Sequence, residues 1–392
     1  MNTNSIMIHK FLVLTSVFML FSQGGSAQSK REIFTETYIT SMAQKACDWQ
    51  LNNLFSQAVR SNGSIRDIPE TDWIRAVFYT GVMAAYRVTE EERFLDSAYV
   101  WGEKNRWQLG PRTKHADDQA VVQTYADLYL VYRQSTMLEP AMHTYNYMIE
   151  TPEPGPVVGY SNRKNWSWCD ALYMAPPAMV KVGVLTNKPD YLYLMNSMWW
   201  ETYFHLYSEE DSLFYRDERF VIQPDGSGQR TESGKKVFWG RGNGWVIAGL
   251  AKVLTWLPDD YTTRPAFERV YIEMAAKIAS LQQKDGLWRS SLYDPEQFKT
   301  PETSSSGFFC FALAWGINEG YLDKEKYLPV VMKSWQGLNE AMDETGKLGF
   351  VQQVGSDPRS VSKDDSMEYG TAAFLLAAEQ VLDLVRKGMI NE

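Results

Sequence analysis

The chain has 392 residues, with 39 Lys and Arg against 48 Asp and Glu, for a formal charge of −9. That balance excludes a basic nucleic-acid surface, and three widely spaced cysteines, Cys47, Cys169 and Cys310, suit isolated buried thiols better than a disulfide framework. The 14 Trp, 22 Tyr and 18 Phe exceed what a core of this size needs, which points to rings lining a cleft, where flat faces with a polar edge suit sugars.

Residues 1–27 read as a secretory signal: Lys10, the apolar run FLVLTSVFMLF, then the small-x-small site Gly25-Ser26-Ala27. Export is expected, to the periplasm rather than the medium, and loss of Lys10 takes the charge to −10. No Pro/Ser-rich linker divides residues 28–392, so they read as a single domain. No later stretch approaches the roughly 18 uninterrupted apolar residues of a membrane span.

A weak repeat organises that domain. Six segments open on polar or Gly-rich residues and run into helices that are apolar nearly all round: from Asp72, Asp117, Asp170, Gly242, Ser305 and Glu368. Between them lie helices with a single apolar face, over residues 31–54, 91–105, 139–151, 191–207, 264–283 and 324–342. Buried and half-exposed helices alternating in this way predict an all-α fold, an (α/α)6 barrel, with short β-hairpins at the rim from LFYRDERFVI and GKLGFVQQV. The inner helices then start at one end, and the residues there converge on one mouth. Asp72, Asp118 and Asp170 each also fit a plain helix N-cap.

Three of these openings carry candidate chemistry. In NWSWCDALYMAPP, Asp170 sits among Trp166, Trp168, Tyr173 and Met174, where burial disfavours its charge, and Pro176-Pro177 interrupt the helix a plain cap would begin. Such a carboxyl suits general acid catalysis. In HADDQ, adjacent carboxylates point in different directions, so one of Asp117 and Asp118 is expected at the mouth, with Asp118 preferred and His115 and Gln119 as hydrogen-bonding partners. No His-x3-His pair supports a metal site, and no cofactor is implied. In FWGRGNGW, Arg241 beside Trp239 suits a carboxylate gripped by a guanidinium while a sugar stacks on indole, with Trp245 closing the motif. GRGNG matches neither GxGxxG nor the Walker pattern. Arg216, Trp288, Arg289 and Ser304 to Ser306 are further mouth candidates.

Together DWIRAVFYTG, HADDQAVVQTY, WCDALYMAPP, FWGRGNGW and PETSSSGFF resemble glycoside hydrolase family 105, the unsaturated rhamnogalacturonyl hydrolases and their relatives, over nearly the whole mature chain. The resemblance implies an (α/α)6 barrel that removes the 4,5-unsaturated uronic acid left by a polysaccharide lyase at the non-reducing end, by hydrating its double bond. It implies Asp170 as principal acid, Asp118 or Asp117 as the second acidic residue, and Trp239 and Arg241 as uronate contacts. The partner is then an anionic unsaturated oligosaccharide. Where several relatives carry a His, LFYRDERF offers Arg216 and Asp217, and the extra cation points towards a sulfated neighbouring sugar, as in ulvan fragments, over neutral-backboned pectin. Two other readings stand beside this one: a conventional inverting glycosidase using Asp118 and Asp170, and a non-catalytic glycan-binding protein.

Overall fold

The computed structural model describes residues 32–59, 63–152 and 166–390, so the expected signal segment lies outside the described residues. Helices alternate in two roles along the chain. The outer ones are α1 (Glu36–Asn52), α3 (Glu92–Lys104), α6 (Glu139–Glu150), α9 (Pro189–Leu206), α11 (Arg264–Ser280) and α13 (Lys324–Glu340). The inner ones are α2 (Trp73–Thr89), α4 (Ala116–Gln119) continued by α5 (Val121–Tyr132), α7 (Ala171–Met174) continued by α8 (Pro176–Leu185), α10 (Gly240–Trp256), α12 (Thr303–Asn318) and α14 (Glu368–Arg386).

The inner helices form a closed ring: α2 packs on α5, α5 on α8, α8 on α10, α10 on α12, α12 on α14, and α14 back on α2. Each outer helix packs on an inner one beside it, which makes the fold the expected (α/α)6 barrel. Small residues allow the inner helices to approach. A Cβ on Gly81 of α2 would lie 2.6 Å from the Cα of Ala372 on α14, and one on Gly249 of α10 would lie 2.3 Å from the carbonyl of Leu172.

The third inner helix breaks at Ala175, where Pro176 opens a new helix because it has no N–H to continue the old ladder. The second breaks at Ala120 without a proline, which the sequence did not signal. The fourth and fifth begin at Gly240 and Thr303, two residues ahead of the expected starts. Two short antiparallel hairpins are present among the described residues, Gln57–Val59 with Ile65–Asp67 and Tyr207–Ser208 with Leu213–Phe214. The expected hairpin in GKLGFVQQV is absent. Only a bridge between Met342 and Leu348 forms, and Phe350 then takes a left-handed φ of 58° that no extended strand accommodates. From Phe350 the chain runs as an irregular strap towards the barrel mouth.

All three cysteines are buried free thiols, as expected. No helix among the described residues is long and apolar enough to cross a membrane.

Candidate active site

At the N-terminal ends of α2, α4 and α7 lies a cavity of about 610 Å³, closed on one side by Val354, Gly355 and Ser356 of the strap. Asp170 lines it between Trp168 and Met174. It occupies the N-cap position of α7, yet its side chain makes no capping hydrogen bond. Its Oδ2 instead accepts from Arg216 Nε at 3.2 Å and from the Cys169 thiol at 3.6 Å. The local backbone is unusual as well: Trp166, buried and four residues upstream, has a φ of 55°, a left-handed conformation that costs energy for a bulky residue.

Arg216 is itself held from behind. Its Nη1 donates to Asp217 at 2.8 Å, and the fully buried Asp217 also accepts from Arg219, whose Nη2 reaches Ser356 of the strap at 3.2 Å. Burial works against both charges. Even so, Asp170 and Asp217 hold the Arg216 guanidinium above its ordinary pKa, while Arg219 and Arg216 keep Asp217 below the usual carboxylate value. The result is a relay of alternating charge, Asp170–Arg216–Asp217–Arg219, fixed to a cavity wall.

Asp118 does not cap α4. That role falls to His115, whose Nδ1 accepts from the Asp117 backbone at 3.3 Å. Asp118 is buried in the cavity wall and accepts from the backbone N–H of Arg112 at 2.6 Å and from its Nε at 3.1 Å. Asp117 lines the cavity too, beside His115, so both acids of the pair reach the mouth where one was expected. Gln119 does not join them: its amide donates to the Thr113 carbonyl and towards Met148. A third pair completes the set, as Asp72 caps α2 through Ile74 N and binds Arg66. Three arginine–aspartate pairs therefore ring one cavity.

The FWGRGNGW residues lie outside it. Arg241 is buried between the rings of Trp239 and Tyr369, and its guanidinium donates to the carbonyls of Gln352 and Gln353 at 2.6 and 3.0 Å. Trp239 Nε1 donates to Gln352 Oε1. Both side chains expected on the uronate are thus occupied in bracing the strap. Trp245 packs among Trp73, Tyr173 and Phe308, and Trp288 in the core donates to the Ile278 carbonyl. Arg289 pairs with Asp285 away from the cavity. Ser304 and Ser305 receive the Glu302 cap of α12. Each of these residues obeys a packing or capping demand that a linear motif does not distinguish from ligand contact.

Sequence reasoning missed Arg66, Arg112 and the strap. Arg112 stands six residues before Asp118, a spacing readable as a loop returning to its own helix start, but Arg66 and residues 354–356 carry no local signal.

Comparison with known proteins gives a consistent result. The model of "Glycosyl Hydrolase Family 88" matches residues 42–385. An "Unsaturated 3S-rhamnoglycuronyl hydrolase" of Formosa agariphila is 39% identical over 322 residues, covering 80% of this chain and 85% of that protein. A solved glycosyl hydrolase family 88 protein from Bacteroides vulgatus superposes with a TM-score of 0.78 at 30% identity, covering 89% of this chain and 99% of the other. A further structure, described as a polysaccharide lyase, superposes with a TM-score of 0.79 at 31% identity, covering 90% of this chain and 98% of the other.

Proposed function

The chain belongs to glycosyl hydrolase family 88, and from that premise we propose that it removes the 4,5-unsaturated uronic acid from the non-reducing end of lyase-generated oligosaccharides, with Asp170 as the group that handles the protons. The observation that carries this reading is the state of Asp170: a carboxyl at a helix start that leaves the cap unmade and faces the cavity beside a buried cation.

The chemistry needs one carboxyl in two states. Protonated Asp170 gives its proton to C4 of the vinyl ether. The resulting carboxylate then takes a proton from the water that adds at C5. The C5 hemiketal opens to a ketone, C1 becomes a hemiacetal, and its collapse to an aldehyde releases the neighbouring sugar. Arg216 occupies Asp170 Oδ2 as long as the two are paired. An incoming uronate competes for that guanidinium, so that its carboxylate takes the place of Asp170 on Arg216 and frees Asp170 Oδ2 for the reacting double bond. Substrate binding thereby prepares the catalyst.

This assignment moves the uronate contact from Arg241 to Arg216. Asp118, held by Arg112, and Asp117 with His115 are assigned to orienting the sugar hydroxyls and the attacking water.

The test is turnover of an unsaturated glucuronyl-rhamnose disaccharide, followed by chromatography of the released sugar, with native protein and Asp170→Asn. The reading predicts release by the native protein and a loss of at least about a hundredfold in the variant, the scale of a lost general acid, with substrate binding retained. Equal release by both proteins contradicts the role of Asp170; no release by the native protein contradicts the activity.

A further inference from the structure

The three arginines of the cavity are not equivalent as anion binders. A guanidinium presents two edges for bidentate contact, Nε with Nη2 and Nη1 with Nη2. Arg66 spends its Nη1/Nη2 edge on Asp72, Nη1 also reaches the Asp67 carbonyl, and the Nε left over belongs to a side chain only 18% exposed. Arg216 is buried, with Nε on Asp170 and Nη1 on Asp217. Arg112 differs from both. Asp118 takes its Nε and Nη2, while Nη1 has no acceptor among the described residues, and the side chain is 55% exposed.

Arg112 therefore has an open edge at the cavity rim and a fixed one. Asp118 anchors the guanidinium from the buried side, and the backbone N–H of Arg112 secures Asp118 at 2.6 Å. The side chain is held in orientation without being neutralised on its outer edge. Planar two-point recognition of an oxyanion is what that edge offers.

We propose that Arg112 reads a sulfate ester on the sugar next to the unsaturated uronate, so that this chain takes sulfated disaccharide ends in preference to unsulfated ones. The inference rests on the reaction proposed above and deepens it, since it assigns the two anions of such a substrate to different arginines: the uronate to buried Arg216, the sulfate to Arg112 at the rim. The cation behind any sulfate preference is thus Arg112 and not the Arg216 that the hairpin sequence suggests. Arg112 acts on binding and does not touch the reacting double bond.

The experiment compares kcat and KM for an unsaturated glucuronyl-rhamnose 3-sulfate disaccharide and its desulfated counterpart, using native protein, Arg112→Lys and Arg112→Gln. Lys keeps a cation beside Asp118 and loses the second edge. Expected is a KM for the sulfated substrate that rises at least tenfold more than the desulfated KM in both variants, beside whatever loss the altered hold on Asp118 imposes equally on the two substrates. Equal losses on the two substrates would overturn the inference, because Arg112 would then serve only to hold Asp118. Unchanged KM on both would overturn it as well. If the native protein turns over neither disaccharide, the proposed reaction fails, and equilibrium binding of the two disaccharides still decides the sulfate claim: tighter binding of the sulfated one that Arg112→Lys abolishes supports it, and equal binding overturns it.

Discussion

Arg216 Nε lies 3.2 Å from Asp170 Oδ2 while its Nη1 lies 2.8 Å from Asp217, so one buried guanidinium is shared between the candidate acid and a carboxylate with no access to solvent. Asp217 is then a positioning residue: it fixes the height and tilt of Arg216 and leaves Asp170 free to exchange partners. Asp217→Asn keeps the shape and removes the charge. A hydrogen bond to a charged group contributes about 1.5–3 kcal/mol, which predicts a loss of about ten- to a hundredfold in kcat/KM. Steady-state kinetics should place most of it in KM, because a misdirected Arg216 weakens uronate capture first.

Arg241 supports the strap from within the barrel, so its removal should be felt in the absence of substrate. Arg241→Lys cannot serve both carbonyls of Gln352 and Gln353. A destabilisation of about 2–3 kcal/mol is expected from two lost charge-assisted bonds with partial replacement, measured by urea unfolding of the free protein. A residue that merely touched substrate would leave that transition unmoved.

Gly110 tests the placement of Asp118. A Cβ there would lie 2.5 Å from Asp118 Cγ and 2.7 Å from its Cβ, while the Gly110 N–H bonds the Asp118 carbonyl at 2.9 Å. Since neither the backbone nor the buried carboxyl yields easily, Gly110→Ala should displace Asp118 and lower kcat by about tenfold or more, on the principle that small misplacements near chemistry are costly. Circular dichroism should show the helix content unchanged.

Glu368, at the start of α14, has no solvent-exposed side-chain surface, and burial pushes its carboxyl up to about 7 from an ordinary 4.5, against the pull of Arg75. The folded protein therefore holds a proton that the unfolded chain gives up between these two values. Its contribution is fully present below about pH 4.5 and is lost as pH rises towards 7. At about 1.4 kcal/mol per pH unit, stability should fall by about 2–3 kcal/mol over this window. Glu368→Gln should flatten that slope in urea titrations at pH 5 and pH 7, whatever its effect on absolute stability.

The barrel was legible because each inner helix is apolar all round and each outer one has a single apolar face, so burial dictated both rings. The cavity lining was legible where chemistry conflicted with its surroundings, as at Asp170 and the HADDQ pair. It was misread where a motif satisfied an internal demand. Arg241 and Trp239 look like sugar contacts in sequence, but they answer the carbonyls and amide of a strap more than 110 residues away. Arg66 comes from a rim hairpin and Arg112 from a loop, and their meaning arises only when the ring closes and brings their aspartates to one mouth.

Hydration of the double bond is the central claim, and parallel time courses of ultraviolet absorbance and of neighbouring-sugar release from an unsaturated disaccharide test it most directly. The account predicts that the absorbance of the conjugated uronyl group falls in step with release or ahead of it, with the native protein and not with Asp170→Asn. Release with the absorbance initially retained would mean direct cleavage at C1. Rising absorbance on an intact uronan would mean a lyase. Either result would contradict the account.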